Sequence, residues 1–309
     1  MVHVYQNNGF NIALDVNSGA VHVVDDVVYD LIPELEECVK AKSDKEKISE
    51  VAFNVLSDKD RHYPTEDVME AIDEIIELYR AELLYTDDVY EPYIEQFGKR
   101  ETVVKALCLH IAHDCNLACK YCFAEEGEYH GRRAIMSYEV GKKALDFLVQ
   151  NSGNRVNLEV DFFGGEPLMN WQVVKDLVRY GRSLEAPYHK KFRFTLTTNG
   201  VLLNDEILDF VNQEMGNIVL SIDGRKEIHD LMRPHRGGQG SYDEVVPKYI
   251  KVAESRNQMN YYVRGTFTHH NLDFSKDVLH LADLGFKQIS VEPVVAQPEE
   301  EYALREEDL

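Results

Sequence analysis

The stretch His113-Asp114-Cys115-Asn116-Leu117-Ala118-Cys119-Lys120-Tyr121-Cys122 sets three cysteines at C-x3-C-x2-C spacing in a chain that holds only five. A strand-like run over 103–111 feeds directly into it and a capped helix follows, so the three thiols lie on one excursion from one strand end. They can converge on one metal centre. Three thiolates hold three irons of a [4Fe-4S] cluster and leave the fourth open to a ligand, whereas a ferredoxin closes its cluster with a fourth cysteine. The same residues admit a zinc site completed by His113 or His130, because thiolate and imidazole are also ordinary zinc ligands.

Composition narrows the classes. A length of 309 residues with 44% apolar content allows roughly two domains and an ample core. No apolar run approaches the ~20 residues of a membrane span, and the first eight residues lack the basic and apolar regions of a secretion signal. The chain reads as cytoplasmic and membrane-free. Five cysteines, three of them clustered, do not make a disulfide framework. Cys38 and Cys108 lie in apolar runs and read as buried, inert thiols. A net charge of −22 argues against a surface that tracks phosphates, so nucleic acid is excluded as a partner. Residues 1–100 carry 9 Lys/Arg against 23 Asp/Glu; this segment attracts basic partners or merely presents a solvated acidic face.

Residues 10–16 and 20–24 alternate or run apolar around Asn17-Ser18-Gly19, the pattern of a hairpin. Helical spacing follows over 26–40, 44–56 and 65–81, with Ser43 and Thr65 as N-caps and Pro33 and Pro64 as breaks. Leu83-Leu84-Tyr85 reads as a short returning strand. Residues 87–102, with Pro92 and Gly98 and little periodicity, read as a linker. From 103 onward strand-like and helix-like segments alternate, which builds parallel βαβ units. Six strands are expected near 103–111, 156–163, 191–197, 217–222, 261–268 and 288–293, with helices near 137–151, 169–184, 204–214, 241–255 and 274–284.

The cysteine spacing with Tyr121 before the last cysteine, and Gly164-Gly165-Glu166-Pro167 one βα unit later, resemble the motifs of the radical S-adenosylmethionine (SAM) enzymes. The resemblance implies a partial (β/α)6 barrel as the α/β fold class, and a [4Fe-4S] cluster and SAM as cofactors. Cys115, Cys119 and Cys122 are then the metal ligands. SAM is split at the open iron to a 5′-deoxyadenosyl radical that abstracts hydrogen. The Gly164–Pro167 segment and the Glu166 carboxylate would meet the SAM amino group. Thr197-Thr198-Asn199-Gly200 and Ser221-Ile222-Asp223-Gly224 end strands three and four; Ser221 would contact the ribose, with Asn199 and Asp223 beside the cofactor. Arg264 on strand five would pair with the SAM carboxylate, and Val294 would form an adenine-side wall. Each stretch also has a plain reading as turn, surface or core sequence.

The small sheet with three helices before residue 86 resembles, in layout, the winged-helix-like peptide-recognition domain of ribosomal-peptide maturases. There a precursor's leader adds a strand to the sheet edge. The loop 229–243 resembles the post-strand-four loop of radical SAM enzymes that carry a SPASM domain, and its basic, glycine-rich character suits a peptide over the barrel mouth. Together these features are closest to the thioether-forming maturases of SCIFF peptides. Implied domains are 1–86 for peptide recognition, 87–102 as linker and 103–309 as barrel. Implied partners are a precursor with a basic leader and a low-potential electron donor of flavodoxin or ferredoxin type. No cysteine follows Cys122, whereas such maturases hold auxiliary clusters on further cysteines, so the chain reads as a fragment or lacks that chemistry. Alternatives are another protein-modifying radical SAM enzyme, similar to the anaerobic sulfatase maturases, and a non-enzymatic zinc or iron–sulfur binding protein.

Overall fold

The computed structural model describes every residue except Asp60, 95–102, Glu126, His130 and Leu309. The linker residues 95–102 and the candidate zinc ligand His130 therefore lie outside the described residues. Among the described residues no helix is long and apolar enough to cross a membrane. The chain divides into two compact units, Met1–Glu101 and Thr102–Leu309.

In the first unit, β1 (Val2–Asn7), β2 (Phe10–Asp15) and β3 (Val21–Val24) form an antiparallel meander in the order β1-β2-β3. Three helices follow: α1 (Asp26–Lys40), α2 (Lys45–Asp58) and α3 (Thr65–Arg80). Their apolar stripes bury Leu31, Ile32, Leu35, Ile72 and Ile75 in one core. Asp25 and Asp44 cap α1 and α2 by accepting from Val28 N and Lys47 N. The expected Ser43 cap is thus one residue early, and Thr65 is already helical behind Pro64. Pro33 lies inside α1 without ending it, because the flanking Leu31, Ile32 and Leu35 keep that helix packed. Leu83-Leu84-Tyr85 is not a strand. Tyr85 takes a left-handed φ of 57°, and its hydroxyl donates to Ile32 O (2.6 Å) while Thr86 donates twice to the buried Asp15 carboxylate.

The second unit is a seven-stranded sheet in the order β5-β4-β6-β7-β8-β9-β10. Its strands are β4 (Ala106–His113), β5 (Ala134–Ile135), β6 (Asn157–Gly164), β7 (Lys191–Thr198), β8 (Met215–Ser221), β9 (Tyr261–Phe267) and β10 (Ile289–Pro293). Only β5 runs antiparallel, along the outer edge of β4; the other six pair each with the next in sequence. Helices α4 (Tyr138–Gln150), α5 (Trp171–Tyr188), α6 (Asp205–Glu214), α7 (Lys226–Met232), α8 (Tyr242–Ser255) and α9 (Ser275–Asp283) connect them. This is the expected α/β class with a parallel sheet. The short β5 and α7 were not legible in the sequence.

Alternation decides what each sheet face holds. Leu109, Ile111, Val160, Phe162, Phe194 and Leu196 are buried in the core shared with the helices. The intervening residues point the other way, and Cys108, Asp161, Thr195 and Asn217 form one registered row across four strands. Cys108 is therefore exposed rather than buried as expected, since its neighbours Leu107 and Leu109 take the helix side. Cys38 is half-buried and donates to Leu35 O.

Candidate functional site

Parallel strands deliver all their C-terminal ends to one side of a sheet, which is where barrel sites form. Here those ends surround a cavity of about 540 Å3 lined by Cys115, Cys119, Cys122 and by residues from β6 to β10. Of the sequence-predicted residues, Tyr121, Gly164, Gly165, Asn199, Ser221, Arg264 and Val294 line it too. Glu166, Pro167 and Asp223 do not; they are buried around its wall.

The cysteine loop leaves β4 at His113 and is pinned by its backbone. Ala118 N donates to Pro234 O and Lys120 N to Met232 O, both at 2.9 Å. Asp114 Oδ1 accepts from Arg236 (2.7 Å) and from Cys115 N (2.9 Å). Burial pushes the Cys115 thiol up to about 12 and the Cys119 thiol up to about 11. Metal binding must displace those protons. Among the described residues no three His, Cys, Asp or Glu side chains group as ligands of a single ion. His113 instead packs its ring against Tyr129 at 4.8 Å. Three thiols around one cavity suit a cluster, whose irons each take one thiolate. Beside them the buried Asn116 Nδ2 finds no acceptor among the described residues, a donor left over for sulfur.

The Gly-Gly turn after β6 lies under that loop. Gly165 N donates to Ala112 O (2.7 Å) and Glu166 N to Asp114 O (2.9 Å). A Cβ at Gly165 would meet Asp114 O at 2.1 Å, and one at Gly164, whose φ is 123°, would meet Ala112 O at 2.5 Å. The glycines permit a backbone crossing as well as opening the cavity wall. Glu166 is expected from the motif to reach a ligand with its carboxylate. In the structure that carboxylate accepts from Thr198 Oγ1 (2.7 Å), Asn199 N (2.8 Å) and Leu168 N (3.0 Å), which ties β6 to the end of β7. Burial pushes its pKa up to about 7 against the lowering effect of those donors. Asn199 Nδ2 in turn donates to Asn116 Oδ1 (2.8 Å) and lies 3.5 Å from Cys115 Sγ.

A second brace comes from the other side. Asp223, fully buried, accepts from Tyr121 Oη (2.7 Å), Arg233 Nε (3.0 Å) and Thr266 N (3.1 Å). The Arg233 guanidinium also sits 5.3 Å from the Tyr121 ring centre. Behind it, Asp223 N donates to His229 Nδ1 (3.4 Å), so Nε2–H donates to Ser241 Oγ (2.9 Å) and the Ser241 hydroxyl to Arg233 O (2.7 Å). Burial pulls the His229 pKa down to about 4, which keeps this chain neutral at the imidazole. The 229–243 loop thus clasps the cysteine loop. Arg233 was missed as a site residue because its partner acid stands ten positions earlier and only the fold joins them.

On the far wall Arg264 pairs with Glu292 of the neighbouring strand, and both are about half exposed. Asp161, deeper along the strands, accepts a long bond from Thr197 Oγ1 (3.3 Å), and burial pushes its pKa up to about 6.

A family profile described as a 4Fe-4S single cluster domain matches residues 100–247. An uncharacterized protein of Methanocaldococcus jannaschii is 28% identical over 202 residues, covering 65% of this chain and 66% of that protein. A radical SAM cyclopropyl synthase of Paramaledivibacter caminithermalis is 26% identical over 55% of this chain and 38% of its own length. A serine-type anaerobic sulfatase-maturating enzyme of Bacteroides thetaiotaomicron is 32% identical over 46% and 33% respectively. The chain therefore spans about two thirds of the first of these, under two fifths of the second and a third of the last. A solved structure of anSMEcpe with bound AdoMet superposes with a TM-score of 0.59 at 22% identity, over 67% of this chain and 57% of that one.

Proposed function

We propose that this chain is a radical SAM protein and that it matures a ribosomally made cysteine-rich peptide by forming a thioether between a cysteine sulfur and an α-carbon. One observation carries the reading: the three thiols line a single cavity together with Tyr121, Gly164, Gly165, Asn199, Ser221, Arg264 and Val294. A [4Fe-4S] cluster and SAM, if bound there, would supply radical hydrogen-atom abstraction from a substrate carbon; closing the C–S bond would then release the thiol proton and one electron, which would pass to the redox partner. Cys115, Cys119 and Cys122 would hold the cluster. Gly164 and Gly165 leave room for the cofactor's polar end, with Pro167 fixing the turn behind them; Ser221 offers a hydroxyl and Val294 an apolar wall. Arg264, paired with Glu292 in the structure, would be the cation for the cofactor carboxylate, a role that suits a guanidinium. Glu166, Asn199 and Asp223 hold the wall in place.

Peptide substrates are supported by a neighbour solved with AdoMet and a Kp18Cys peptide, 21% identical with a TM-score of 0.59. The first unit would bind the precursor's leader along an open edge of its sheet, β1 or β3 being the outer strands. Its acidic excess favours a basic leader, and that attraction weakens as salt screens exposed charge. The electron donor would be a flavodoxin or ferredoxin. A second reading, modification of a serine or cysteine in another protein, draws on the serine-type and cysteine-type sulfatase-maturating relatives. The test is anaerobic reconstitution followed by 5′-deoxyadenosine release. Alanine at Cys115, Cys119 or Cys122 removes release, whereas alanine at Cys38 or Cys108 preserves it; full release from any of the first three overturns the cluster reading. Mass spectrometry of a co-expressed precursor then separates a thioether, with loss of two hydrogens, from no cross-link.

A further inference from the structure

Asn199 was expected beside SAM, yet its polar atoms face elsewhere. Its backbone N–H donates to Glu166 Oε2 and its Oδ1 accepts from Val201 N at 3.1 Å. With Oδ1 committed to that turn, the amide can be oriented only one way, and Nδ2 faces the cysteine loop. One N–H meets Asn116 Oδ1 at 2.8 Å; the other has Cys115 Sγ at 3.5 Å. The side chain is 8% exposed. Among the described residues it is the only side-chain nitrogen donor that reaches a thiol of the cysteine loop from another strand.

We propose that Asn199 is a positioning residue for the metal centre: its carboxamide donates an N–H···S hydrogen bond to the Cys115 thiolate and raises the cluster's reduction potential. This rests on the three cysteines being cluster ligands, as proposed above. Reduction adds an electron whose charge spreads onto the sulfurs, so a donor fixed on one of them favours the reduced form. The Glu166 carboxylate and the Val201 turn hold that donor in place before any metal arrives, so little ordering is lost when the bond forms.

The experiment uses the full 309-residue chain, reconstituted anaerobically without SAM, with the reduced cluster titrated by electron paramagnetic resonance. Asn199→Ala should lower the ratio of reduced to oxidised cluster about tenfold at a fixed poise, or about 59 mV for a one-electron couple. Asn199→Asp, which keeps the Val201 turn but replaces the donor by a negative acceptor, should lower it further. Cys108→Ala, on the same sheet but away from the hydrogen bonds around the cysteine loop, should leave the potential unchanged. If Asn199→Ala fails to hold a cluster, Asn199→Gln, which retains an amide N–H, should recover both cluster and potential. Equal potentials for the parent and the Asn199 variants overturn the proposal, as does an equal fall in Cys108→Ala or failure of Asn199→Gln to recover. A parent chain that forms no cluster overturns the proposed function instead.

Discussion

The two faces of the seven-stranded sheet are made from alternate residues of the same strands, and they are built to opposite rules. On β6, Val160 and Phe162 are sealed against the helices, while Asp161 between them faces the open side with a carboxyl that burial makes reluctant to ionise. On β4 the same step separates Leu109 from the exposed Cys108. One face stores stability and the other spends some of it on polar groups held ready. The lesson is that a residue's neighbour in sequence says less about its role than its neighbour two positions away.

Four substitutions would sharpen or break that comparison. Phe162→Ala on the packed face should cost about 3 to 5 kcal/mol, because a fully buried ring leaves a cavity; denaturant midpoints measure it, and a loss near zero would deny the face its role. Arg233→Ala should cost about 3 kcal/mol, since it strands the buried Asp223 charge. It should also loosen the cysteine loop, visible as faster amide exchange at Ala118 and Lys120.

Asp161→Asn should act in the opposite direction. The folded pKa stands above the unfolded one, so the folded state binds the proton more tightly and parent stability falls as pH rises from about 4 to about 6. The amide cannot ionise, so the variant should match the parent below that window and exceed it by about 1 kcal/mol at neutral pH, allowing for screening at a partly open site. Equal pH profiles would show that this face carries no such cost. Cys108→Ala, one register position across from Asp161, should shift stability by less than about 0.5 kcal/mol.

Much of the barrel was readable because its strands are short apolar alternations between strong helix patterns. The expected strand over 191–197 lies within Lys191–Thr198, and the helix expected over 204–214 spans Asp205–Glu214. What escaped was set by tertiary packing. Val2–Asn7 became a strand by pairing with β2 along its whole length, a partnership the N-terminal residues do not advertise. Leu83-Leu84-Tyr85 has the composition of a strand, but Tyr85 turns into the helical core to reach Ile32 O. At the site, the residue types were legible and their partners were not. Glu166 and Asp223 were read as reaching toward a ligand, and both carboxylates are occupied by neighbouring strands and loops. The 229–243 loop was read as suited to a peptide over the barrel mouth, and its ties to the cysteine loop through Arg233 and two backbone bonds were not legible beside that.

The crossing of Gly165 under Asp114 has a consequence for how the molecule comes apart. Main chain rests on main chain there with no side chain between them, so no rotamer can absorb a displacement of one segment before the other feels it. Two segments joined in that way should open as one cooperative unit. On heating, the cysteine loop should therefore stay closed until the β6 end of the sheet gives way, and metal should leave in the same step as the sheet rather than ahead of it.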